Sequence, residues 1–200
     1  MKKVFEIIAV STLMLIPFGA CNNSGSTTAN TDKAKTVSEA TKPQSETSVP
    51  PINIPKVASV SEIINEYLSL KNALTADKTK EAATAAAGLE ATIKNYDKSA
   101  LSTEQKKVFD EVQDDAKEHA EHIGKNGSNI KHQREHFDLL SKDVYTLAKT
   151  FGAGQPLYKD FCPMYNDSKG AIWLSETKEI NNPYFGKNMP TCGSMKEELK

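Results

Sequence analysis

Between residues 59 and 151, apolar side chains recur at every third or fourth position, which constrains the fold more than any other feature of the sequence. This spacing places the apolar side chains on one face of a helix and does not match the alternation of a half-buried strand. Polar residues and glycines interrupt the pattern between the apolar runs. The pattern predicts amphipathic helices at about 59–75, 78–97, 102–123 and 128–150.

Two of these helices begin with a recognisable cap. Ser59-x-x-Glu62 and Ser102-x-x-Gln105 both have the form of a capping box. Beyond Gly152 the periodicity disappears, and Gly, Pro, Asn and Asp become frequent. We therefore expect residues 153–200 to be mostly loop and turn.

The predicted fold class is all-α, because short links between amphipathic helices favour an up-and-down four-helix bundle. The loop-rich C-terminal segment would pack on this bundle. Its aromatic residues Trp173, Tyr184 and Phe185 are expected to anchor the segment on the helices.

The N-terminus has the layout of a bacterial export signal. Lys2 and Lys3 precede a short apolar run that ends in Phe18-Gly19-Ala20-Cys21, and this ending resembles the lipobox of bacterial lipoproteins. We predict that residues 1–20 are a lipoprotein signal peptide and that Cys21 is lipidated. Plain secretion with cleavage nearby is the alternative. Lipidation would anchor the protein to a membrane of the bacterial cell envelope, facing the periplasm.

Residues 21–55 separate this anchor from the helical region. They are rich in Asn, Ser, Thr, Lys and Pro and contain almost no large apolar side chain, so they cannot bury enough surface to fold. We predict a disordered tether there, followed by a folded domain at residues 56–200.

Composition and motifs exclude several classes of function. The chain has 25 Lys and Arg against 26 Asp and Glu and no long basic block, so nothing resembles a nucleic-acid-binding surface. No interior stretch is long and apolar enough for a multi-span membrane protein. The sequence contains no phosphate-binding loop, nucleophile elbow or HExxH motif, and we predict that the protein is not an enzyme.

All the histidines of the chain lie between residues 119 and 136. His119 and His122 are three residues apart and His132 and His136 are four apart, so each pair shares a helix face. Antiparallel folding of the two helices would bring the pairs together, and imidazole suits copper, zinc and nickel. The alternative is that these are solvated histidines, with His119 an ordinary core residue.

A second group of candidate ligands lies in the C-terminal segment. Cys162 and Met164 are followed about 30 residues later by Met189 and Cys192, with Met195 beyond them. Thiolate and thioether are soft ligands that prefer Cu(I). In an oxidising compartment, however, two cysteines in such a segment commonly form a disulfide, and the residues alone favour that interpretation.

Several short motifs are spread over the helices and the C-terminal segment. They are Tyr67-Leu68-x-Leu70, His119-Ala120-x-His122-Ile123, Gln133-Arg134-x-His136-Phe137, Cys162-Pro163-Met164, Gly170-Ala171-Ile172-Trp173-Leu174-Ser175, Asn182-Pro183-Tyr184-Phe185-Gly186, Met189 and Cys192-Gly193. These motifs resemble those of a bacterial domain of unknown function, and the similarity covers about residues 57–199. That domain occurs in stand-alone exported proteins and at the C-terminus of HlyD/CusB-like periplasmic adaptor subunits of heavy-metal efflux pumps.

The resemblance implies a role in resistance to copper or a related metal. His132 is not among the ligands that it implies, because the pattern of the domain is more variable at that position. Whether the histidines and the sulfur groups form one site or two stays open. The implied ligands are His119, His122, His136, Cys162, Met164, Met189 and Cys192.

We therefore expect an envelope lipoprotein that binds copper or a related heavy metal and sequesters it or hands it to an efflux adaptor. The alternative is a non-metal interaction module. In that case a Cys162–Cys192 disulfide would lock the C-terminal loop, and exposed aromatic residues of the loop would dock on an efflux pump or another envelope partner.

Overall fold

The structure is a computed structural model that describes residues 59–199. The predicted signal peptide, the lipidated Cys21 and the tether at 21–55 lie outside the described residues.

The described part of the chain is mostly helical. Its long helices have ends within three residues of those predicted from the apolar periodicity, and each helix packs against the next one along the chain. Within residues 59–199, no helix combines the length and apolar character needed to cross a membrane. The helices are α1 (Ser61–Thr75), α2 (Thr79–Lys94), α3 (Thr103–Lys125) and α4 (Ile130–Phe151).

One of the two predicted capping boxes is present. Ser102 accepts a hydrogen bond from the backbone N–H of Gln105, and the Gln105 side chain accepts one from the backbone N–H of Ser102. The box predicted at Ser59 is wrong, because α1 begins after Val60 and Ser59 Oγ accepts the N–H of Ser61 instead. Val60 is fully buried, so the packing of this side chain fixes where the chain enters the helix.

The all-α expectation is wrong for the C-terminal segment, which contains an antiparallel sheet. Strands β1 (Leu157–Cys162), β2 (Ala171–Ser175) and β3 (Ser194–Leu199) form it in the order β2-β1-β3. Both faces of β1 and β2 are largely buried, so their sequences lack the alternation that marks a half-exposed strand. The edge strand β3 is mostly exposed and half of its residues are charged, so its sequence does not resemble that of a buried strand.

A shared core joins the sheet to the helices. The Tyr67 side chain of α1 is fully buried, and its hydroxyl lies 2.8 Å from the Ser141 hydroxyl of α4 and accepts the N–H of Leu174 in β2. Trp173 and Tyr184 are also buried, at 0% and 2% exposure, which confirms that they anchor the segment. The sheet therefore packs on α1 and α4 and extends the hydrophobic core.

Candidate metal centre

The turn between α3 and α4 fixes the position of the histidines. The Asn126 side chain donates to the carbonyl oxygen of His122 at the end of α3, at 2.8 Å. The Asn129 side chain caps α4 by accepting the backbone N–H of His132, at 3.2 Å. Because both caps are side chains of the turn itself, α3 ends and α4 begins within a few residues, and the two helices fold back on each other.

The buried side chain of Gln133 holds the two helices together at this end. Its amide nitrogen donates to the carbonyl oxygen of Ile123 in α3, at 3.2 Å, and to that of Thr79 at the start of α2, at 3.0 Å. Gln133 lies next to His132 in the sequence. These contacts set the register in which the histidines of α3 and α4 face each other.

The four imidazole rings form one cluster with His136 at its centre. The His136 ring stacks on that of His122, with ring centroids 4.3 Å apart, and meets the His132 ring edge-on at 4.6 Å. The His119 ring lies 5.4 Å from His136 by the same measure. The expectation that antiparallel folding brings the two histidine pairs together is therefore met by the geometry.

Three of these residues bring ring nitrogens close to one another. One ring nitrogen each from His122, His132 and His136, which we call the hairpin triad, lie within 4.8 Å of one another. Metal–nitrogen bonds of about 2.0–2.1 Å place neighbouring ligand nitrogens roughly 3.3 Å apart in tetrahedral geometry. Because the His122 and His136 rings are stacked with an interplanar angle of 5°, one of them would have to rotate out of the stack for both to bind one ion.

His119 contacts the triad without belonging to it. Its Nδ1 lies 3.2 Å from Nδ1 of His136, so one neutral ring donates a hydrogen bond to the other. In the tautomer in which His136 Nδ1 is the donor, its Nε2 is unprotonated and free for an ion. The sequence motifs pointed to His119 and set His132 aside, whereas the structure groups His132 with His122 and His136. The four-residue spacing of His132 and His136 was the signal for this pairing.

Burial and crowding keep the central rings neutral. Burial lowers the pKa of His119, and it lowers the pKa of His136 to about 4 together with the neighbouring charges of His122, His132 and His119. A metal ion binds the neutral imidazole, so a lowered pKa removes competition from protons at neutral pH. The His136 ring is therefore in its ligand form at pH 7.

Carboxylates flank the outer rings, which remain open to solvent. Glu135 Oε2 lies 3.4 Å from His132 Nδ1, and Glu118 Oε1 lies 3.8 Å from His122 Nε2. Carboxylates at the non-ligating nitrogen typically orient a metal-bound imidazole. The His122 and His132 side chains are 45% and 32% exposed, so an ion can enter from solvent.

The sulfur-bearing residues form a separate group at the end of the sheet. Cys162 closes β1 and is fully buried, Cys192 is half-buried, and their Sγ atoms lie 3.0 Å apart as free thiols. Met164 is 55% exposed, and Met189 is half-buried. Among residues 59–199, the only cluster of metal-binding side chains that includes a histidine is the hairpin triad, and no cysteine joins it.

The burial of the aromatic residues also bears on the alternative function. Trp173 and Tyr184 lie in the core, as expected for anchors, so these two side chains are not available to a docking partner. The large apolar side chains that are exposed within residues 59–199 are Leu139, Met164 and Met195.

Fold and site together define a helical domain with a small C-terminal sheet and a cluster of imidazoles at one helical hairpin. Residues 63–156 match the model of a family described as "Protein of unknown function (DUF3347)". The matched region includes all four histidines and ends just before β1, so it leaves out Cys162 and Cys192. No curated protein and no solved structure matches the chain.

Proposed function

We propose that this protein binds copper or a related heavy-metal ion at the hairpin triad and either sequesters the ion or hands it to an efflux system. The observation that carries the proposal is the convergence of nitrogens from His122, His132 and His136 within 4.8 Å. Three imidazole ligands leave a coordination position open, which suits an ion that has to be taken up and released.

Metal binding accounts for the cluster better than packing does. Solvated histidines would spread over the helix surface, whereas here four rings contact one another and His136 contacts the other three. Crowded imidazoles repel one another when protonated, so the cluster opposes charging of its central ring. Among the divalent ions that imidazole binds, copper forms the tightest complexes.

The cellular setting of the proposal comes from the sequence. The Phe18-Gly19-Ala20-Cys21 ending supports export and lipid attachment at Cys21, and hence a place in the bacterial cell envelope. The motifs shared with a domain at the end of heavy-metal efflux adaptors support copper as the ion and such an adaptor as the partner.

Calorimetric titration of the full chain with Cu(II) and with Zn(II) tests the proposal. We expect one ion per chain for the wild-type protein and loss of this binding in the variant His122→Asn/His132→Asn/His136→Asn. Retention of the wild-type affinity by the triple variant would refute the proposal.

A matched variant controls for a change of the helix surface. Lys107 and Glu111 form an exposed pair on α3, with side chains 75% and 62% exposed, and they do not touch the cluster. Lys107→Gln/Glu111→Gln should bind both ions like the wild-type protein. Far-ultraviolet circular dichroism of both variants checks that the helices are intact.

A further inference from the structure

The thiols of Cys162 and Cys192 are held together by the fold rather than by chance proximity. Cys162 is the last residue of β1, paired with Ala171 of β2, and its side chain is fully buried. Cys192 lies in the loop that leads into β3. Their sulfur atoms are 3.0 Å apart, so the pair joins the central strand to the C-terminal loop.

The loop that carries Cys192 is fixed by a buried asparagine. The backbone N–H of Asn182 donates to the carbonyl oxygen of Pro190, at 2.8 Å, and the Asn182 side chain donates to that of Cys192. Asn182 Oδ1 accepts the N–H groups of Tyr184 and Phe185, at 2.7 and 3.0 Å. All the polar atoms of this buried side chain are therefore engaged in positioning the loop.

Gly193 allows the loop to approach the sheet closely. A Cβ atom at this position would lie 2.8 Å from Trp173 Cη2 and 3.1 Å from the carbonyl oxygen of Phe161. The φ angle of Gly193 is +145°, which side chains rarely permit. A larger residue would push Cys192 away from Cys162.

Both methionines of the motif contact Cys192 through their backbones. The carbonyl oxygen of Met189 accepts the N–H of Cys192, at 3.3 Å. The thiol contact with Cys162 and burial raise the pKa of the Cys192 thiol, although the backbone N–H of Met164 lowers it by donating to the sulfur. A raised pKa disfavours a reactive thiolate. A backbone N–H aimed at the sulfur would stabilise a thiolate once an ion displaces the proton.

The geometry points to a second metal site, independent of the hairpin triad, in which Cys162 and Cys192 hold a soft monovalent ion, Cu(I). Two thiolates with neighbouring thioethers are the donors that this ion prefers. Binding replaces the two thiol protons, which are released to solvent, and involves no electron transfer. Met164 and Met189 border the site through the contacts of their backbones with Cys192.

The required movement is small. With metal–sulfur bonds of about 2.3 Å, two thiolates on one ion lie roughly 3.8–4.6 Å apart, depending on the angle at the metal. Cys192 would therefore move outward by about 1 Å, and it lies outside the strands, where displacement disturbs little pairing. A disulfide would instead need the sulfur atoms about 1 Å closer together.

The test is an anaerobic competition for Cu(I) between the fully reduced full chain and the chelator bicinchoninate. We expect wild-type protein to take one Cu(I) from the chelator with release of two protons. Cys192→Ser should lose at least 100-fold in affinity. His122→Asn/His132→Asn/His136→Asn should keep the Cu(I) site, so failure here and failure of the hairpin site are distinguishable.

Two further measurements keep the result interpretable. Cys162→Ala is the second cysteine variant. Because Cys162 is buried, circular dichroism checks that this variant folds, whereas Cys192 is only half-buried and its replacement disturbs the core less. Alkylation of Cys192 by N-ethylmaleimide should slow at least tenfold when Cu(I) is bound. Unchanged Cu(I) affinity in both cysteine variants, or a Cys162–Cys192 disulfide that resists reduction in the folded protein, would overturn the proposal.

Discussion

The hairpin triad and the thiol pair are built in different ways. The imidazoles sit on two regular helices, at fixed spacings, and two of the three side chains are about one-third to one-half exposed. The thiols are held by a strand end and an irregular loop, and one of them is fully buried. The regular helices thus present harder nitrogen donors at a partly exposed surface, and the strand end and loop present soft sulfur donors, one buried and one half-buried.

The largest difference between the two regions should come from removing the central imidazole. His136→Asn should weaken Cu(II) binding by at least about 100-fold, because His136 contacts every other ring of the cluster. Cu(I) binding at the thiols should change less than threefold. Parallel titrations measure both, and an equal loss at both sites would indicate disruption of the fold rather than two separate sites.

His132 and His119 provide a sharper division within the hairpin. His132→Asn removes a member of the triad, whereas His119→Asn removes a hydrogen-bond partner of His136. We expect the first variant to bind Cu(II) about tenfold more weakly than the second, since supporting residues cost less than ligands. The opposite order in calorimetric titrations would return His119 to the ligand set and remove His132 from it.

A smaller effect should come from Gln133, which positions the histidines without touching an ion. Gln133→Ala frees the carbonyl oxygens of Thr79 and Ile123 and should cost about 1–3 kcal/mol of folding stability. Cu(II) affinity should fall severalfold while the stoichiometry stays at one. Urea unfolding and titration of the same sample check both, and full affinity together with lost stability would show that Gln133 does not set the ring positions.

The last predicted effect concerns pH and distinguishes the sheet from the hairpin. Asp160 of β1 is fully buried with no hydrogen bond to either carboxylate oxygen, and burial raises its pKa to about 7 against the opposing charge of Lys71. A folded-state pKa above the unfolded value of 3.8 means that Asp160 contributes less stability as pH rises from about 4 to 7. At His136 the pKa is lowered, so stability is lost as pH falls through the window from 6.5 to about 4.

In the wild-type protein, ionisation of Asp160 should lower the free energy of unfolding by about 1–3 kcal/mol between pH 4 and pH 7. Asp160→Asn lacks this contribution, so its stability should rise more steeply with pH than that of the wild-type protein. His136→Asn should have the opposite effect on the slope. Urea unfolding of the metal-free protein at pH 4.5, 5.5 and 7.5 measures both. Parallel curves for wild type and Asp160→Asn would mean that the carboxylate stays charged in the core.

The hairpin could be predicted from the sequence because its determinants are local. Apolar periodicity located α3 and α4, and the spacings of His119 with His122 and of His132 with His136 placed each pair on one face. Which three histidines bring their ring nitrogens close together depends on the register of α3 against α4. That register is set by Gln133 through contacts distant in sequence, and no local pattern records it.

The C-terminal sheet could not be predicted in the same way. Strand β2 is buried at most positions and β3 is a charged edge strand, so neither alternates. Pairing of β1 with β3 joins residues more than thirty positions apart. The contact between Cys162 and Cys192 was anticipated as a disulfide or a ligand pair, but the buried Asn182 and the close approach at Gly193 that create it are tertiary features.

X-ray absorption at the copper edge of the Cu(II)-loaded full chain tests the central claim most directly. The proposed site predicts a shell of nitrogens at about 2.0 Å, with the outer-shell scattering of three imidazoles. This scattering should decline in the His136→Asn variant. A first shell of oxygen atoms without imidazole scattering would contradict the assignment of the hairpin triad as a metal site.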